Sequence, residues 1–415
     1  MSVAVENVNR FTSPAEPDII AASRTAQAGC IDFAVLKDPA EFSDLKNEWD
    51  RLHASNAPHR LAFQSHTWLQ SWIETVLSSE PGACERLAVT TARVNGELKV
   101  ICPFALRRSA GLSHLTWLGE PASQYGDIIT EGTERCAPLS AAAVNFAIEQ
   151  FQPDLVHLRK VRQDAAIQAW LATQRTTPTN TDTAAYLDLR DATSFDDYSS
   201  RYPAKARKNR RRQRRRLEEC GPVTTTILPL GKCASDAIRS GIAFKRHWLI
   251  ARGQVASALH GSQLESCLCA IVERPDAMAE PFISTMHSGE TLVSVQFGVI
   301  SNRRLALHLI AYNPATEKYG AGALHIEDTI AHCINNELTE LDFLAPAAAY
   351  KQAWADGSVP VTDHVVARTG KGQLYARAYL GIARPWIKTG LEALPLSIRQ
   401  TMAKHMQLRA ASSAP

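Results

Sequence analysis

Residues Arg304–Ile334 read RLALHLIAYNPATEKYGAGALHIEDTIAHCI. An apolar run of strand length enters a loop holding Gly320, Ala321 and Gly322, and a helical stretch starts at once. Strand, glycine-bearing loop, helix is the local order of an α/β fold. Glycines at a helix N-terminus let backbone N–H groups approach an anion that the helix dipole favours. The pattern is neither a P-loop nor a dinucleotide fingerprint, since no GK[ST] and no full GxGxxG is present. The same glycines also suit a tight strand-to-helix turn with no ligand at all.

Working outward, ELDFLA (340–345) is a strand carrying Asp342, and Tyr350, Lys351 and Trp354 open a short helix beyond it. A tyrosine followed by a lysine there can supply a general acid and an oxyanion-stabilising cation, or simply a packed ring beside a solvated charge. Upstream, AFKRHWLIARG reads as helix, and FISTMH, TLVSVQFGVI and RLALHLIAY read as strands joined at Ser288-Gly289 and Ser301-Asn302. The first half shows the same order. Helical segments at Glu41–Ala54 and after Ser65, an N-cap, precede a hairpin turning at Asn95-Gly96. A helix over Pro138–Phe151 and the strand DLVHLR (154–159) follow. Turn-to-strand intervals of about 59 and 52 positions point to two copies of one α/β module.

Composition bounds the rest. The chain has 415 residues, 45% hydrophobic and 21% charged, which excludes collagen-like, low-complexity and wholly disordered classes. Lys205–Arg216 holds nine Lys/Arg and no acid; the other 403 residues carry 36 basic and 42 acidic groups, so a mildly acidic protein bears one basic helix. That helix suits nucleic acid, anionic lipid or a solvated face; a structural or substrate-guiding role is favoured, with nucleic acid the lesser reading. Nine cysteines without paired spacing indicate neither a disulfide framework nor a metal site. No run approaches a membrane span, and the expected location is cytoplasmic. The expected division is a flexible leader (1–29), a first module (30–190), a second module (191–370) including the basic helix (204–220), and a basic helical tail (371–415) broken at Pro385 and Pro395. The tail packs as a lid on the second module or meets a membrane surface peripherally.

Seven segments in order then suggest a family: EWDRL, FQSHTWLQSW, WLGEPASQYGD, KARKNRRRQRRRLEECG, FKRHWLIARG, IAYNPATEKYGAGAL and YKQAW. Their sequence resembles the CelD/BcsL-type acyltransferases of the GNAT superfamily, associated with cellulose or exopolysaccharide production. The basic segment is also similar to the helix of Fem-type peptidyltransferases.

The resemblance implies α/β (α+β) architecture with two tandem GNAT-like modules, mixed sheets flanked by helices, and acyl-CoA (acetyl-CoA) as co-substrate without a metal. The partner expected with it is a saccharide or small-molecule acceptor; aminoacyl-tRNA, or a fold that has lost its chemistry, is the alternative. Tyr350 and Lys351 match the family's Tyr-Lys pair, with Asp342 and His308 as further catalytic candidates. Tyr312, Tyr319, Gly320, Ala321, Gly322 and Ala323 fall on the cofactor-binding strand and loop. Gln124, Tyr125, Asp127, Lys245, Trp248 and Gln296 are expected around the acceptor, in a cleft between the modules. Glu317 departs from the pattern: it stands where the phosphate signature begins with Gln or Arg, and an acid beside a pyrophosphate is unfavourable.

Overall fold

A computed structural model describes residues 30–36, 38–55, 59–77, 85–131, 136–254, 257–259 and 261–412; the leader expected at 1–29 lies outside them. The first half contains β1 (Ile31–Leu36), α1 (Pro39–Asp44), α2 (Lys46–Ser55), α3 (His66–Trp72), β2 (Glu85–Leu87), β3 (Val89–Val94), β4 (Glu97–Cys102), β5 (Phe104–Ser109), β6 (Leu112–Trp117), β7 (Ile129–Thr130), α4 (Ala137–Phe151), β8 (Leu155–Arg162), α5 (Gln168–Leu171) and β9 (Thr177–Asp188). Ser65 caps α3 through the Trp68 amide, and Asn95 and Gly96 take the left-handed conformation that the β3–β4 turn requires. The two arms of the hairpin turning at Asn95-Gly96 are each split, at Ala88 and at Pro103. Proline has no N–H for the ladder, and the chain passes there from a four-stranded sheet (β1-β3-β4-β7) into the main one.

The second half contains α6 (Phe195–Ser200), α7 (Ala204–Glu218), β10 (Val223–Ile227), α8 (Lys232–Ala251), α9 (Gln263–Val272), β11 (Glu280–Ser288), β12 (Thr291–Ser301), β13 (Arg304–Tyr312), α10 (Ala321–Asn335), β14 (Glu340–Asp342), α11 (Ala349–Gln352) and β15 (Gly357–Ala367). The tail forms α12 (Gly370–Leu374), α13 (Arg384–Ala393) and α14 (Leu396–Ser412). Pro385 does not break the tail as expected. A π-helical stretch, Tyr375–Ala383, runs into α13, where the proline occupies the first turn and its missing N–H costs little.

The main sheet has eleven strands in the order β10-β11-β12-β13-β14-β9-β15-β8-β6-β5-β2. Its centre explains the repeat. β14 runs parallel to β13, and β8 runs parallel to β6, so ELDFLA and DLVHLR occupy equivalent places. The last strand of each repeat crosses over: β9 pairs with β14, β15 pairs with β8, and β9 and β15 pair with each other. Two copies of one α/β module are thus joined by reciprocal strand exchange. The main hydrophobic core also spans both halves, with the Trp68 ring stacked 6.4 Å from that of Phe297. The boundary expected at 190/191 falls between β9 and α6.

Candidate active site

β13 pairs with β14 only over Arg304–Ala306, so from Leu307 to Tyr312 the edge of β13 that faced β14 has no strand partner among the described residues. A cavity of about 400 Å³ opens beside it. Ile310, Ala311 and Tyr312 form one wall, Phe244, Lys245, Trp248 and Arg252 of α8 and its end another, and the Gly320–Ala323 turn with Ile326 the floor. Tyr350 and Trp354 close it. α8 reaches this wall because Lys245, Trp248 and Arg252 recur at helical spacing on one face. Gly320 takes a left-handed φ of +70°, turning the chain into fifteen-residue α10, whose N-terminus has no side-chain cap. Uncapped N–H groups facing a cavity are an anion-binding arrangement.

The rim is polar and connected. Trp248 donates its indole N–H to the Tyr312 hydroxyl (2.7 Å), which donates to Glu317 (3.1 Å), which accepts again from Arg252 (2.9 Å). Arg252 and Lys245 also stand over the Trp248 ring at 4.2 and 4.7 Å. The hydrogen bond from Arg252 holds the Glu317 carboxyl below its ordinary range, and burial followed by Arg252 lowers the Lys245 ammonium. The Tyr350 phenol is raised, first by loss of water and then by Tyr312, so it remains a proton donor at neutral pH. Phe244 on the α8 wall, Ile310 on the β13 wall, Ile326 in the floor and Trp354 at the closing side give the cavity an apolar lining. Apolar depth, two cations and an open helix N-terminus suit an acyl chain attached to a phosphorylated carrier, so the residues present fit acyl-CoA.

The sequence-derived candidates divide three ways. Lys245, Trp248, Tyr312, Gly320, Ala321, Gly322, Ala323 and Tyr350 meet at the cavity. Gln124, Tyr125, His308 and Asp342 form a separate contact between the halves. Asp342 accepts from the Tyr125 hydroxyl (2.9 Å), Arg162 (3.2 Å) and the Leu344 amide (2.7 Å), while His308 bonds the Ala122 carbonyl (2.7 Å). Burial pushes the His308 ring down to about 4, leaving it neutral. Lys351, Asp127, Gln296 and Tyr319 lie elsewhere. Lys351 is buried and donates to the Leu344 and Pro346 carbonyls (2.8 and 2.9 Å), pinning the loop after β14. Asp127 accepts from the Ile128, Ala166 and Ile167 amides, and Gln296 accepts from Thr329 inside the core. Tyr319 faces the basic helix, with Arg216 at 5.9 Å and its hydroxyl 3.2 Å from the Cys220 sulfur.

The expectation of a Tyr–Lys pair in a cleft between the modules is therefore corrected. The cavity belongs to residues 244–354, and adjacent helical residues point about 100° apart, so Tyr350 enters it while Lys351 turns inward. Arg252 and Phe244 went unremarked in the sequence, although their spacing from Trp248 placed them on its face. Among the described residues no group of three or more His, Cys, Asp or Glu is placed to hold a metal ion.

Residues 204–352 match the family model described as an acetyltransferase (GNAT) domain. The matched stretch contains every residue of the cavity wall except Trp354, which lies two positions past it. No curated protein matches the chain. Among solved structures, the fold is similar to FemX, with a TM-score of 0.53 at 11% identity over 80% of this chain and 98% of that one. It is also similar to the C-terminal domain (DUF2156) of a putative lysylphosphatidylglycerol synthetase from Agrobacterium fabrum, with a TM-score of 0.50 at 9% identity over 82% and 95%. At these identities the likeness is one of fold. The family match is to a GNAT acetyltransferase domain over residues 204–352 alone, the solved structures show likeness of fold, and none of them carries the narrower CelD/BcsL assignment.

Proposed function

We propose that the protein is an acyltransferase that moves an acyl group, in the first instance acetyl, from acyl-CoA to an amine or hydroxyl of a sugar or small metabolite. The observation that carries this reading is the uncapped N-terminus of α10 opening onto an apolar cavity beside the unpartnered edge of β13. In such a site the first-turn amides of α10, with Arg252 or Lys245, hold the pyrophosphate of the donor. The free edge of β13 offers backbone N–H groups to the thioester oxygen as negative charge develops there. The acceptor attacks the thioester carbon, the carbon–sulfur bond breaks, and Tyr350 gives its proton to the departing thiolate. The acceptor's own proton leaves to solvent or to a base it brings. We assign the module boundary to the stretch near residue 190, and production of cellulose or exopolysaccharide is the pathway we associate with the acceptor.

Calorimetry with acetyl-CoA and longer acyl-CoAs tests the reading. Binding at micromolar to sub-millimolar concentration supports it; no heat with any of them at millimolar concentration leaves a fold without the chemistry. A second reading, transfer from an aminoacyl-tRNA, is favoured by one observation: the exposed arginines of α7 lie on the helix whose Gln213 packs against Gly320 at the cavity floor. It requires tRNA binding that weakens steeply with salt and disappears when Arg211, Arg212 and Arg215 are neutralised.

A further inference from the structure

Of the fourteen large apolar side chains exposed among the described residues, ten lie between Leu374 and Met406. Surface leucines scattered singly need no explanation, but a concentration of this kind does. α13 is its centre, and none of its residues is buried. At roughly 100° per residue, Trp386, Ile387, Gly390 and Leu391 share one arc of about 140°, Arg384 and Lys388 flank it beyond Leu391, and Glu392 lies opposite. Trp386 is 78% exposed, Ile382 60% and Ile387 54%.

Both flanks of this helix are fixed. On its N-terminal side Ala376 and Leu380 are buried against Leu112, Leu155 and Val365, and Gly372 sits so close to the Asp154 carbonyl that a Cβ would lie 2.1 Å from it. On its C-terminal side Gln400 of α14 donates to the Ala251 carbonyl at the end of α8 (2.8 Å). The apolar arc is held outward and cannot be hidden by a simple rotation of the tail. Charge decides what it meets. From Lys371 to the C-terminus the sequence has seven Lys/Arg and one acid, Glu392. A second copy would bring two such surfaces of like sign together, whereas a surface of anionic lipid complements them.

We infer that the Ile382–Leu391 face docks the protein peripherally on an anionic bilayer, with Trp386, Ile387 and Ile382 in the headgroup region and Arg377, Arg384 and Lys388 on lipid phosphates. The inference is independent of the donor used at the cavity. α14 links the docked helix to Ala251, the neighbour of Arg252, so the cavity rim is held near the lipid surface.

Co-sedimentation of the full chain with vesicles tests it, using phosphatidylcholine alone against a roughly 7:3 mixture with phosphatidylglycerol at about 0.1 M salt. Binding is expected to the mixed vesicles only, and it weakens as salt rises. Trp386→Ser with Ile387→Ser weakens it at least about fivefold, as does Lys388→Glu, with unchanged melting because these side chains are exposed. Trp386→Phe keeps binding but removes a lipid-induced blue shift of emission. Absence of binding, equal binding to both vesicles, or unchanged binding by the double variant overturns the inference. So does sedimentation equilibrium that finds a dimer which the double variant turns into a monomer, because self-association would then account for the face.

Discussion

Glu317 is the residue on which the proposed donor binding turns. The Tyr312 hydroxyl and Arg252 hold it at the rim, so its charge is partly answered and the guanidinium that answers it is occupied. Glu317→Gln releases Arg252 toward a bound phosphate and should tighten acetyl-CoA about three- to tenfold, while Arg252→Ala should weaken it by a similar factor. Calorimetry reads both, and the reverse order would remove acyl-CoA phosphates from this rim. Lys351 makes a different case. Burial lowers its ammonium to about 8, against an ordinary value near 10.5. Its folded value is depressed, so its charge penalises the native state below pH 8, and the penalty fades as pH rises toward 10.5. Lys351→Met strands two carbonyls and should cost roughly 2–4 kcal/mol. Urea titrations at pH 7 to 9.5 should show wild type gaining stability relative to the variant with rising pH; a constant gap would mean the lysine is not buried as charge. From sequence the two adjacent residues matched a Tyr–Lys pair, although the roughly 100° between neighbours on a helix already favoured Tyr350. Only the direction of each side chain, set by the turn after β14, separates Tyr350 from Lys351.

Among the elements, α7 shows how a run of one sign of charge is resolved by packing. Arg210 donates to Glu327 on α10 (2.9 Å), and its guanidinium covers the Trp354 ring at 4.5 Å; Arg214 pairs with Asp328 on the same helix. Arg207 is half-buried, and the remaining cations Lys205, Lys208, Arg211, Arg212, Arg215 and Arg216 are exposed. Arg210→Ala should therefore lower stability by roughly 2–3 kcal/mol, through an orphaned carboxylate and a lost stacking contact. Arg211, Arg212 and Arg215 changed together to Gln should leave the melting temperature within about 2 °C, as exposed sites do. Equal effects from the two variants would show that α7 is not anchored by one face. The existence of this helix was readable from its composition, but its two anchoring arginines were not, because every position in RKNRRRQRRR looks alike until α10 lies against it. The split at Pro103 was equally local in origin and just as hard to foresee, since a proline can end a strand or pass it between sheets.

The molecule as a whole depends on the exchange of β9 and β15. The repeated order of elements was visible in the sequence because hydrophobic periods and turn residues recur locally. The exchange was not, because either strand completes its own repeat as well as the other's on paper, and the choice is made by contacts far apart in the chain. A buried link reinforces it: Arg162 of β8 and Tyr125 from the first half both hold Asp342 of β14. Residues 30–190 and 191–415 produced separately should each lack a native sheet strand and fail to unfold cooperatively, while their mixture should form a one-to-one complex with the circular dichroism of the intact chain. A cooperative monomer from either piece alone would show that its sheet closes without the exchanged strand.

The same crossing sets a clock on the nascent chain. β8 leaves the ribosome about 200 residues before β15, the strand that covers its edge, and at roughly 5–20 residues per second the interval is on the order of 10 to 40 seconds. For that time the amino-terminal half presents an open sheet edge to every other chain nearby. Its safe completion in the cell is a matter of shielding during synthesis as much as of final stability.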